Sequence, residues 1–138
     1  MAIVCGGAIG LERQLHGKPA GIRTSILICL ATSTFIRLGV HVEVSASDPT
    51  RVLGQLVVGV GFLGAGVILN RHHAITGITS ASVVWMLSAI GAALGFDLWG
   101  TAISLTAITL AVLVGIEQLE RLYAALRRGA HARPPAAK

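Results

Sequence analysis

VLGQLVVGVGFLGAGVIL, residues 52–69, runs eighteen positions without a charge and carries five glycines: Gly54, Gly59, Gly61, Gly64 and Gly66. In water, glycine within a helix costs about 1 kcal/mol relative to alanine, so a soluble helix with five would be hard to sustain. A bilayer changes the terms. Backbone groups there must satisfy one another, and apolar side chains gain nothing by leaving lipid, so helices associate through small residues that let backbones approach. The stretch reads as a tightly packed transmembrane helix, and an all-α, polytopic transmembrane bundle follows as the fold class.

Composition agrees. Hydrophobic residues are 54% of the 138-residue chain and charged residues 12%, with a mean hydropathy of +0.77, whereas soluble domains carry about 25% charged residues. The net charge of +5 could suggest nucleic acid, but five of the eleven Lys and Arg fall in the last eighteen residues and few aromatics are present to stack bases. Cationic flanks that meet anionic lipid are the better reading. Cys5 and Cys29 sit inside apolar stretches and read as packing residues rather than a disulfide or metal knuckle.

Four long apolar segments, roughly residues 22–40, 52–69, 75–96 and 98–116, approach the twenty or so residues a helix needs to cross about 30 Å of hydrocarbon. Arg23 and Arg37 bound the first and are expected to snorkel outward. Ahead of it, residues 1–11 rise only about 16 Å and read as a short, truncated first helix. The expectation is four full spans plus that stub. The membrane domain covers 1–128, with an amphipathic cytoplasmic extension from about 117 and a disordered basic tail over 129–138. If the stub ends a first span, Arg13, Lys18, Arg23, Arg71 and the basic tail share one face, against Arg37 and Arg51 on the other. The positive-inside rule then puts the C-terminus in the cytoplasm.

Gly59, Gly61 and Gly64 spell G-x-G-x-x-G, but no strand precedes them and no acidic residue follows about twenty positions on, so a dinucleotide site is rejected. Helix packing is the reading for Gly59, Gly61, Gly64, Gly66, Gly91 and Gly95. Arg51, Gln55, Gly59, Phe62 and Gly66 share one stripe. Ala81, Ser88, Ala92 and Gly95 make a second small-residue face, and the two faces are expected to meet, within the chain or across a dimer.

Charges near the membrane each need a reason. Glu12, Arg13, Lys18 and Arg23 read either as a paired network or as interfacial charge. Asp48 and Arg51 read as a helix cap and anchor, or as the outward mouth of a cation path with Asp48 the candidate metal contact. Within the four spans there is no Asp, Glu or His, which disfavours a carboxylate relay. Thr76, Thr79, Ser80 and Ser82 could line a path for a hydrated cation, and His72 with His73 could sense pH or bind metal. No nucleophile, base and orienter assemble, so neither an enzyme nor a cofactor is expected.

Gly10-Leu11-Glu12-Arg13-Gln14, Gly17-Lys18-Pro19-Ala20-Gly21-Ile22-Arg23-Thr24, Asp48-Pro49-Thr50-Arg51 and the run from Gly59 through Gly66 occur in an order and spacing that resemble the MgtC/SapB family of bacterial inner-membrane proteins. Residues 76–82 and Trp85 continue the likeness. The resemblance implies a multi-pass inner-membrane protein, a homodimer, tied to magnesium homeostasis and to adaptation to low magnesium, acid and other stress. Members are labelled magnesium transporters yet are better regarded as regulators, including of the proton-translocating ATP synthase. It also implies Glu12, Arg13, Lys18, Arg23, Asp48, Arg51 and Gln55 as the polar functional set. The expectation is a short form of the family, with a basic tail where the virulence-type members carry a cytoplasmic C-terminal domain.

Overall fold

The computed structural model describes residues 1–42, 50–71 and 74–123. Five helices follow in order: α1 (Ala2–Leu15), α2 (Ile22–Val42), α3 (Thr50–Val67), α4 (Ile78–Gly95) and α5 (Trp99–Leu122). Between α3 and α4 lie two strands, β1 (Leu69–Arg71) and β2 (Ala74–Thr76), paired antiparallel with Leu69 opposite Thr76. The short hairpin departs from the all-helical expectation, which placed these residues at span ends.

Three of the described helices, α2, α4 and α5, are long and apolar enough to cross a membrane. The expected fourth, α3, offers only the shorter apolar stretch Arg51–Val67. Its end is set locally: the N–H of Ile68 donates to the Ala65 carbonyl, and the chain turns into β1 before residue 69 can extend the helix. Helix α5 runs continuously through Glu117 to Leu122, so the amphipathic extension is the end of that helix. The predicted tail lies outside the described residues.

The core forms from Cys5 and Ile9 of α1, Cys29 of α2, Val83, Leu87, Ile90, Ala93 and Leu94 of α4, and Ala102 of α5. No residue of α3 belongs to that cluster. Because lipid is as apolar as leucine, contact between these helices rests on close van der Waals packing rather than on escape from water. Glycine supplies the closeness. A Cβ added at Gly10 would stand 2.6 Å from the Ile22 Cα, and one at Gly6 would stand 2.7 Å from the Ser25 carbonyl oxygen. On the other side of α2, a Cβ at Gly91 would stand 2.7 Å from the Cys29 carbonyl oxygen. The Cys29 thiol donates to the Leu87 carbonyl at 3.1 Å across the same crossing. Helix α2 is thus gripped between α1 and α4, and the short α1 is a full partner in the core.

Of the small residues on α4, Gly91 and Gly95 face α2, whereas Ala81 stays beside α3, its carbonyl oxygen 3.8 Å from a Cβ built at Gly64. Helix α3 leans on α4 through Trp85, whose ring lies 3.6 Å from a Cβ built at Gly64 and 3.9 Å from one at Gly61. Gly77, which joins the hairpin to α4, has φ +91°, and a Cβ there would collide with the Val67 carbonyl oxygen. Only glycine fits that position.

Candidate functional site

Helix α1 places Glu12 and Arg13 at its C-terminal end, where both are buried at 7% and 4% exposure. Their side chains pair in a fork: Arg13 Nη2 donates to Glu12 Oε1 at 2.6 Å and Nε to Oε2 at 2.5 Å. Two parallel charge-assisted bonds are the geometry in which arginine holds a carboxylate best. One helical turn on, His16 Nδ1 lies 2.7 Å from the Glu12 carbonyl oxygen and 3.1 Å from Oε1. Its Nε2 lies 3.0 Å from Glu117 Oε2, on α5. A chain of charged and titratable groups therefore runs Arg13–Glu12–His16–Glu117 and ties the end of the first helix to the end of the last.

The ring of His16 faces acceptors from both nitrogens. Glu12, His16 and Glu117 offer three ligand atoms within 4.8 Å of one another. The donor chemistry fits a borderline ion better than magnesium, which prefers a shell of oxygens and keeps its waters. Both Glu12 oxygens are already taken by Arg13, so the set is described most economically as a charge network between helices.

Lys18 and Arg23 do not join it; both are exposed. The Lys18 N–H donates to the Arg13 carbonyl, closing the turn after α1, and Gln14 Oε1 accepts from the Ile22 N–H at 3.3 Å. Arg51, Gln55, Gly59, Phe62 and Gly66 are all exposed, with Phe62 at 83%. Asp48, His72 and His73 lie outside the described residues.

At the opposite end Arg37 is paired rather than simply snorkelled. Its guanidinium donates to Asp97 Oδ1 and, at 3.3 Å, to the Leu94 carbonyl oxygen. Asp97 holds φ +58° in the turn between α4 and α5. Helical spacing from Glu12 to His16 was the available signal for the α1 network; the α5 partner had none, being a contact between distant segments.

Most hydroxyls in the spans with described bonds donate within their own helices, Ser25 reaching to the Ala20 carbonyl ahead of α2. Ser82 donates to the Ile78 carbonyl, Ser88 to Val84, Thr32 to Ile28, Thr106 to Ala102 and Thr109 to Leu105. Such back-bonding is the ordinary behaviour of serine and threonine in membrane helices.

A family model described as the MgtC family matches residues 1–122. The chain is 40% identical over 125 residues to the Escherichia coli K12 protein named "Putative magnesium transporter YhiD", covering 86% of this chain and 58% of YhiD. It is 37% identical to Protein MgtC of Brucella abortus over 94% of this chain and 55% of that one. Protein SrpB of Synechococcus elongatus is 34% identical, over 88% of this chain and 74% of its own length. The chain thus spans little more than half the length of the first two. No solved structure matches.

Proposed function

The chain belongs to the MgtC family, and from that premise we propose that it acts in magnesium homeostasis as a membrane regulator of ion and proton balance, working through a partner in the bilayer. What carries this reading is how its polar groups are spent. Among the described residues, two ion pairs tie helix ends together, α1 to α5 and α2 to the α4–α5 turn, and most span hydroxyls with described bonds turn back on carbonyls of their own helix, Ser25 reaching instead to the Ala20 carbonyl just ahead of α2. Ion and proton paths need such groups aligned and available across the membrane.

The outward face of α3 supports a partner. Gly54, Val58, Phe62 and Gly66 follow one another at four-residue steps, all exposed, and a Cβ at either glycine would meet nothing within 4 Å. A second membrane helix could lie close against that face. The occupant is another integral protein, for which the family resemblance offers the proton-translocating ATP synthase, or a second copy in a homodimer. Arg13, Lys18 and Arg23 lie at or just beyond the end of α1 that carries the His16–Glu117 contact, which supports a cytoplasmic C-terminus in the bacterial inner membrane. Adaptation to stress follows from the same family membership.

The test is magnesium flux into proteoliposomes that hold folded protein and an entrapped indicator, paired with photocrosslinking from Phe62 in cells. Regulation predicts flux no greater than in protein-free vesicles and a discrete crosslinked membrane partner. A second reading, transport of magnesium or another cation, is favoured by the name YhiD bears and by the Glu12, His16 and Glu117 cluster. Gradient-driven flux that Glu117→Gln alters would establish it, and would overturn the first.

A further inference from the structure

Helices α2 and α3 splay apart along a groove of about 700 Å³, walled by Leu27, Ala31 and Phe35 on one side and Leu56, Gly59 and Leu63 on the other. Ser88 of α4 reaches its floor, with its hydroxyl turned to the Val84 carbonyl. At its Thr24 end a second, smaller cavity of about 350 Å³ begins, and Thr24 lines both. The character changes there. The smaller cavity is formed by Gln14, Gly21, Ile22, Arg23 and Thr24, with the Arg23 guanidinium exposed at its edge.

We propose that this continuous site binds one anionic phospholipid, an acyl chain lying in the α2–α3 groove and the phosphate held by Arg23. Length agrees with that occupant. From Thr24 to Phe35 the helix rises about 16 Å at 1.5 Å per residue, close to the depth of one leaflet, which is half of about 30 Å of hydrocarbon. Polarity agrees as well: a cationic mouth sits where the apolar span begins, at interface depth, and an apolar trough descends from it. A transmembrane helix of a second copy would fill the trough but leave the guanidinium without a counterpart. Arginine matches phosphate oxygens through its planar fork. Gly59 keeps the trough open, because a Cβ there would meet no atom within 4 Å. The site is separate from the outward face of α3, whose Gly54, Val58, Phe62 and Gly66 are not among the groove-lining residues.

The experiment is native mass spectrometry of the full chain released from micelles that contain equal phosphatidylglycerol and phosphatidylcholine, with helix content of every variant checked by circular dichroism. Wild type should retain one phosphatidylglycerol with a preference of about fivefold over phosphatidylcholine, the contribution expected of one basic side chain at an anionic surface. Arg23→Gln should erase the preference while some lipid is still retained. Gly59→Leu should reduce retention of both lipids to the level of detergent background, and Ala31→Leu, which narrows the groove from the α2 side, should do the same if Gly59→Leu fails to fold. Gly115→Leu on α5, equally open but outside the groove, should retain lipid as wild type does. Retention unchanged in both groove-filling variants would overturn the proposal, as would a preference that survives Arg23→Gln. Dimers that Gly59→Leu splits into monomers would also overturn it, because a second copy would then occupy the groove.

Discussion

A methyl group added at Gly91 of α4 would stand 2.7 Å from the Cys29 carbonyl oxygen, whereas one added at Gly54, Gly59 or Gly66 of α3 would find no atom within 4 Å. Both helices read alike in sequence: apolar and stepped with small residues. They are used differently. In α4, as in α1, glycine is where two backbones touch, and those crossings hold the four-helix core of α1, α2, α4 and α5 together. In α3 most of the glycine face looks outward, and the helix is attached by Trp85 of α4, by Val52 packed against Gly39 of α2, and by the hairpin that leads into α4. Small-residue spacing therefore reports that a close approach is available to a helix, without saying whether its own chain takes it.

The strongest way to break this comparison is to substitute both helices alike. Gly91→Leu should prevent recovery of folded protein, since the side chain would have to displace backbone rather than a flexible neighbour, and the loss should exceed about 3 kcal/mol, the upper part of what overpacked cores suffer. Gly54→Leu should leave the yield and the thermal midpoint in detergent unchanged. Equal damage from the two would mean that α3 is packed in the isolated chain after all.

Next comes the charge network, which belongs to the core side of the comparison. Arg13→Met leaves the buried Glu12 carboxylate without its partner, at a cost of about 3 kcal/mol, the lower part of the range for breaking a buried pair. Glu12→Leu combined with Arg13→Met should recover most of that loss, because removing both charges also removes their desolvation. Unfolding titrations in mixed micelles would show it. A double variant as unstable as the single one would mean that the His16 and Glu117 ties, rather than the fork, hold α1 in place.

Gly77 lies on the joint between the two regions. With φ +91° and the Val67 carbonyl oxygen in the way, Gly77→Ala should cost about 2 kcal/mol, in the range of a strained backbone position. If α3 is only loosely attached, the damage should appear as faster proteolysis near the hairpin before any loss of core helix. Arg37→Gln should matter less, below about 1 kcal/mol in the same titration, because the Arg37–Asp97 pair is more than half exposed on both partners and such pairs are weak.

Much of this architecture was legible from residues alone. Uncharged runs at spans α2, α4 and α5 announce membrane helices, and Gly17, Pro19 and Gly21 announce the turn after α1. The family motifs around Glu12 and Arg13 marked the pair that the structure buries together. What stayed hidden depends on partners distant in the chain. Gly6 and Gly10 look unremarkable in an eleven-residue stub until α2 is laid against them. Likewise His16 becomes a bridge only when α5 returns Glu117 to the same end, and Asp97 becomes a counterion only when α2 brings Arg37 beside it. Hydrophobic periodicity, so useful in soluble proteins, loses its power here because lipid-facing and core-facing positions are equally apolar.

The smallest expected effect is also the one that separates the isolated chain from the protein at work. Gly54→Ala adds a methyl group to an exposed helical position with open space around it, so the purified protein should be unchanged or gain up to about 1 kcal/mol from the better helix propensity of alanine. In cells the result depends on whether the outward face of α3 is covered. A partner packed against Gly54 and Gly66 through close backbone approach would feel even a methyl group, and growth at low magnesium should fall while the purified variant unfolds no earlier than wild type. Growth that stays normal for Gly54→Ala, and for the bulkier Gly54→Leu, would show that this face meets only lipid, and the regulatory partner would have to be sought at another surface of the bundle.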